Sequence, residues 1–208
     1  TLSIDSEIDP IYMWDEVKGA DVLQTLVYWP KEFSKDHRGK TKKEILQTNK
    51  NGGWNVILVE KNPNIPTQDS AKTFRGREQI SNRGNSIIRG YIDEQGTKEP
   101  SPDEYLRAIN VESHNLAGPY YGESGMTPED QLMYAITYLE EHDQVIDDYR
   151  ANGNMSYQIG SYLILSENVP TALWDKVDGN HTHKFVIGSS RSDARTVLGG
   201  IRTSVRIQ

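Results

Sequence analysis

The chain has no cysteine, only three phenylalanines, and no apolar run long enough to cross a membrane. Without cysteine there are no disulfides, no cysteine-held zinc and no thiol catalysis, and redox chemistry says nothing about compartment. Without a long apolar run there is no candidate transmembrane helix. The first nine residues alternate apolar with acidic side chains and lack the basic and apolar regions of a secretory leader. Reaction motifs are scarce as well. No Gly-Lys-Ser/Thr follows a glycine-rich loop, no Gly-x-Ser-x-Gly elbow occurs, and no histidine has an acid two residues after it. These absences leave phosphate-loop enzymes, the common serine hydrolases and 2-oxoglutarate oxygenases without support.

What remains is polar but not featureless. Apolar content is 35% and mean hydropathy is −0.69, both on the polar side for a globular chain. Eleven tyrosines, four tryptophans and several short apolar runs nevertheless argue for a packed core rather than disorder. A length of 208 residues suits one domain and needs no covalent or metal staple.

Charge is sorted along the chain. Residues 31–91 hold thirteen Lys/Arg against six Asp/Glu, a net of +7, and residues 92–150 hold three against fourteen, a net of −11. The first thirty residues add −5 and the last fifty-eight add +2, which restores the total of −7. A protein built this way presents faces of opposite sign, and such faces steer charged partners or further copies of the same chain.

Two helices are signalled by their starts. Ser101-Pro102-Asp103-Glu104 is a capping box with proline at the first helical position, followed by Tyr105, Leu106 and Ile109 on one face. Thr127-Pro128-Glu129-Asp130 opens a second, with the apolar stripe Leu132, Ile136, Leu139, Ile146 and Tyr149, Met133 and Val145 beside it, and an end at Gly153. A short basic helix is expected around Thr41–Gln47. Strands are expected over 22–29, 54–60, 86–92, 156–166, 184–188 and 201–207, with a helical turn at 173–177 after Pro170. In 201–207, Ile201, Thr203, Val205 and Ile207 share one face and Arg202, Ser204 and Arg206 the other, the pattern of a half-buried antiparallel or edge strand. The expected fold is one α+β domain, mostly antiparallel sheet of about six strands with two principal helices. Residues 31–91 form a basic segment with extended loops, of which 31–51 and 61–85 are the expected mobile parts and a candidate partner-binding arm.

Candidate functional residues fall into three sets. Arg75, Arg77, Arg83 and Arg89, with Phe74 and Tyr91 interleaved, offer forked donors for phosphates beside rings that stack on bases, and Lys42 and Lys43 add charge. The same cations suit an acidic protein surface equally well, and an overall pI of about 5.3 is low for a dedicated nucleic-acid binder. His181 and His183 would project from one face of a strand, as a paired metal site requires, with Glu112 or His114 as a third ligand for zinc, iron or manganese. Asp143 and Asp147, one turn apart on a helix, could share a cation, although an acid run is more often a solvated face. His142, beside the apolar stripe, reads as a partly buried, hydrogen-bonded side chain. The leading expectation is a self-assembling structural or adaptor protein, including a component of a virion or phage-like particle, whose basic and acidic faces meet between copies. A nucleic-acid-processing or nucleic-acid-binding protein using residues 72–91 is the second, and a metal-dependent enzyme centred on His181 and His183 the third.

Overall fold

The computed structural model describes residues 12–17, 20–48, 56–59, 65–66, 74–75, 100–118, 121–149, 155–177, 182–196 and 199–207. They form an α+β fold. Strands β1 (Tyr12–Val17) and β2 (Ala20–Tyr28) make an antiparallel hairpin in which Trp14 faces Leu23 and Val17 faces Ala20. The far end of β2 leaves that hairpin and becomes the middle of a second pairing. Val27 lies between Thr41 of β3 (Lys40–Thr41) and Tyr162 of β9 (Ser161–Leu163).

A second sheet runs in the order β11 (Thr182–Ser190), β10 (Val169–Val177), β8 (Met155–Tyr157), β12 (Gly199–Ile201). Its outer hairpin is antiparallel over nine residue pairs, whereas β12 runs parallel to β8. A third sheet places β13 (Thr203–Ile207) between β4 (Val56–Val59) and β7 (Glu123–Gly125). A two-residue pair, β5 (Ile65–Pro66) with β6 (Phe74–Arg75), completes the strands.

Among the described residues, three helices start where local chemistry says they should. In α1 (Lys42–Thr48), Glu44 accepts from the Thr41 backbone N–H at 2.6 Å and from its hydroxyl at 2.9 Å. In α2 (Pro102–Glu112), Glu104 reaches back to accept the Ser101 backbone N–H at 2.8 Å. In α3 (Pro128–His142) both halves of the box form: Thr127 accepts from the Asp130 N–H, and Asp130 accepts from the Thr127 N–H at 3.1 Å. Each contact satisfies an N–H that a helix start would otherwise leave orphaned. Among the described residues no helix is long and apolar enough to cross a membrane.

With so little phenylalanine, tyrosine supplies the core volume. Tyr105, Tyr157 and Tyr162 are fully buried among Val27, Phe33, Leu106, Ile109, Ile159, Val169 and Ile201. A buried phenol needs a partner for its hydroxyl. Tyr162 donates to the Ser34 carbonyl at 2.7 Å and accepts from the Arg38 N–H at 3.2 Å. With the Phe33 ring packed on Tyr162 at 5.6 Å, residues 33–38 are tied to the core, where the sequence suggests a mobile stretch.

Several local expectations are revised. Residues 173–177 belong to the long strand β10 rather than to a helical turn, because pairing with β11 outweighs the signal of Pro170. The 156–166 strand is two strands, β8 and β9, separated by a turn through Gly160. Helix α3 stops at His142, capped by Asp143 in the left-handed region (φ 51°), so Ile146 is buried from the following loop. The expected strand at 86–92 lies outside the described residues.

Gly160 is there for space. A Cβ on it would stand 2.2 Å from the Gly125 carbonyl oxygen, and one on Gly125 would stand 2.3 Å from Ile159. Strand β7 therefore crosses the β8–β9 turn at backbone contact, and the Gly160 N–H donates to the Met126 carbonyl at 2.9 Å. This crossing sets the start of α3 against the end of β2.

Candidate functional site

Residues 201–207 were expected to form a half-buried antiparallel or edge strand, and β13 is antiparallel to both its neighbours. It is the central strand of its sheet, and Arg202 and Ser204 are buried. A buried guanidinium requires an anion, and the acid-rich stretch around α3 provides one.

The Arg202 side chain is 3% exposed and that of Asp147 is 1% exposed; Arg202 Nη2 donates to Asp147 Oδ1 at 2.6 Å. The other carboxylate oxygen, Oδ2, accepts from Gln131 Nε2 at 2.7 Å. Above the guanidinium lies the ring of Tyr134, with the Arg202 carbon 5.5 Å from the ring centre, a cation–π contact in a desolvated setting. Burial raises the Tyr134 hydroxyl above the ordinary tyrosine range, while the charge of Arg202 pulls the other way. Asp147 adopts φ 52°, a left-handed conformation uncommon outside glycine, and its carbonyl accepts the Trp174 N–H at 2.8 Å. Backbone and side chain together hold this carboxylate in one position.

One turn of strand further along, the Arg206 guanidinium pairs with Asp130, the same residue that caps α3, and lies 5.0 Å from the centre of the Trp29 ring. Tyr28 donates to Glu129 Oε1 at 2.7 Å. On the other side of β13, Thr203 donates to buried Glu123 of β7 at 2.6 Å. The first turn of α3, its following loop, β7 and the end of β2 are therefore joined to β13 by ionic and charge-assisted hydrogen bonds.

This network ties elements of the fold to one another through buried charges. A carboxylate that works as an acid or base needs an oxygen open to substrate. Both oxygens of Asp147 are already engaged and shielded, and Asp130 is shared between a helix cap and Arg206. These contacts orient the elements they join, while Glu129 Oε2, Gln131 Oε1, Ser204 Oγ and Arg206 Nε are buried in the same region with no hydrogen-bond partner.

Of the arginine, lysine and paired-histidine candidates, most side chains lie outside the described residues. Lys42 and Lys43 open α1, Lys43 exposed and Lys42 half-buried. Arg75 lies on β6, its side chain outside the described residues, and Arg77, Arg83 and Arg89 lie outside them altogether. His183 falls on β11 opposite Lys176, its side chain outside the described residues, as is the whole of His181. His114 sits just past the end of α2 with Nδ1 2.6 Å from the Asn110 carbonyl. Among the described residues no three His, Asp or Glu side chains come together as a metal-binding set.

The Asp143–Asp147 cation pair does not form: Asp143 is an exposed cap and Asp147 faces inward to Arg202. His142 is exposed rather than partly buried, with its ring stacked on Tyr138 at 4.3 Å. Sequence reading missed Gln131 and Tyr134, and singled out Asp147 for a cation rather than for Arg202. Their only signal was the partner: alternation groups Arg202 and Arg206 with Ser204.

Comparison of the chain with protein-family models, with curated proteins and with solved structures finds no match in any of the three.

Proposed function

We propose that the protein is a self-assembling structural or adaptor protein whose oppositely charged faces meet between copies. The observation that carries this reading is how the charges divide between interior and surface. Within the acidic block, Glu104, Glu123, Asp130 and Asp147 are turned onto internal partners. Glu140, Glu141 and Asp143 stay exposed at the end of α3. Within the basic block, residues 31–48 carry six Lys/Arg against three Asp/Glu, and Lys31, Lys35, Arg38, Lys40 and Lys43 are exposed.

The inward charges neutralise one another in the fold. Of the outward ones, Arg38 pairs with Glu32 at 3.2 Å, and residues 31–48 keep an excess of exposed cations while the end of α3 keeps an excess of exposed acids. Surfaces of this kind accelerate encounter and fix orientation between partners. The polar composition suits a protein that works by contact.

Native mass, measured by sedimentation at two protein and two salt concentrations, tests this. Assembly through complementary charge gives a mass that rises with protein concentration and falls as salt rises from about 50 to 500 mM, where the screening length drops below the size of a side chain. A monomer under all four conditions refutes it.

A further inference from the structure

The longest of the described helices puts nothing into the apolar core. Helix α2, eleven residues long, buries Tyr105, Leu106, Ala108 and Ile109 among the core side chains. Helix α3, fifteen residues long, contributes no side chain to either apolar cluster among the described residues. It buries Pro128, Asp130, Gln131 and Ala135, and leaves Met133 62% exposed and Ile136 44% exposed. A helix of this length is marginal by itself and takes its stability from packing an apolar face. In α3 the packed face is the polar one.

Polar contacts hold it instead. Arg206 pairs with Asp130, Tyr28 donates to Glu129 Oε1, Gln131 Nε2 donates to Asp147, and Tyr134 lies over Arg202. Beside these contacts stand the four unpartnered atoms Glu129 Oε2, Gln131 Oε1, Ser204 Oγ and Arg206 Nε. On α2 such an atom occurs only at the last residue, Glu112. When α3 opens, water reaches the four atoms and both members of the Arg206–Asp130 pair, which relieves the cost of having buried them. Opening α2 would instead expose Tyr105, Leu106 and Ile109 to water, which is unfavourable.

The chain on either side of α3 is fixed. Met126, 1% exposed, precedes it, and its carbonyl accepts the Gly160 N–H. Ile146, 7% exposed, follows it, next to Asp147, whose carbonyl accepts the Trp174 N–H. We infer that α3 is a strap, anchored at Met126 and Ile146, that opens by itself while the rest of the fold stays formed. Opening uncovers Arg206 and the side of Arg202 beneath Tyr134, and Arg202 keeps Asp147, which lies beyond the anchor. Guanidinium groups take carboxylate and phosphate, and here two of them are gated by a helix that carries no Lys or Arg.

Amide hydrogen exchange of the unsubstituted protein, followed by mass spectrometry, tests the strap. Corrected for intrinsic rates, amides of 132–142 should exchange at least about thirtyfold faster than those of 105–112, because they follow the opening of α3 and not of the whole fold. Equal protection of the two helices overturns the inference. A thiol supplies a second readout, since the chain has no cysteine of its own. A135C and A108C each place one at a buried position, where alanine is 7% and 4% exposed. In the folded protein, iodoacetamide should modify A135C at least about thirtyfold faster than A108C. Its rate should hardly change with urea below the unfolding transition, as an opening that exposes little surface requires. An A135C rate equal to that of A108C, or as steeply dependent on urea, means that α3 opens only with the whole fold and overturns the strap. The exchange measurement decides alone if either variant fails to fold.

Discussion

Replacing Asp147 by asparagine keeps the shape of the side chain and removes its charge. Asparagine can still accept from Gln131, but the Arg202 guanidinium, 3% exposed in the folded chain, loses its anion. Breaking a buried pair by neutralising one member costs about 3–5 kcal/mol, because the surviving charge is left desolvated and uncompensated. For a domain of this size each kcal/mol lowers the melting temperature by roughly 2–4 °C, so a fall of about 10 °C is expected. Urea unfolding followed by far-UV circular dichroism measures the free energy directly. D193N, which disrupts the exposed Arg191–Asp193 pair, serves as the reference and should leave the midpoint nearly unchanged. The double change D147L/R202M removes both charges together and should recover most of the loss, since a well-packed apolar pair often matches a buried ionic one. A loss below about 1 kcal/mol for D147N would refute the claim that Arg202 depends on this carboxylate.

Two further outcomes follow from the core. Burial pushes the Tyr157 hydroxyl up to about 12, with the nearby Ser190 side chain opposing. The unfolded chain ionises a tyrosine near ~10, so it releases this proton first and stability falls as pH rises between those values; Y157F should flatten the decline in urea midpoint over that range, and an unchanged decline would count against the assignment. G160A drives a Cβ to 2.2 Å from the Gly125 carbonyl oxygen, an overpacking expected to cost about 1–3 kcal/mol in the same urea assay. A G160A midpoint equal to that of the unsubstituted protein would mean that β7 can yield at the crossing.

The α+β class and the helix starts were legible because their causes are local. Ser101-Pro102 and Thr127-Pro128 carry their capping partners within three residues, so no distant contact is needed to read them. The face of α3 was not legible. Its apolar strip pointed to the core, yet Gln131 is buried and Met133 exposed, because the inward side is claimed by Asp147 and Arg202 from elsewhere in the chain. Alternation grouped Arg202, Ser204 and Arg206 on one face of a single strand, whereas Arg202 lies between β12 and β13 and is buried with Ser204. Which side of a strand is buried depends on what lies on it, and the carboxylate that decides the matter is 55 residues away in sequence. Asp147 itself was hidden within a run of acids whose other members behave as a solvated surface.

The position of the final strands has a consequence for how the chain acquires its fold as it is made. Strand β12 completes one sheet by lying parallel to β8, and β13 fills the middle of another between β4 and β7. Until residues 199–207 have emerged from the ribosome, β4 and β7 have no common neighbour, and the acids of α3 lack both arginines. Earlier elements can therefore collapse during synthesis but cannot lock. The closing event is the arrival of residues 199–207, which add β12 to the open edge of one sheet and seat β13 between two strands of another.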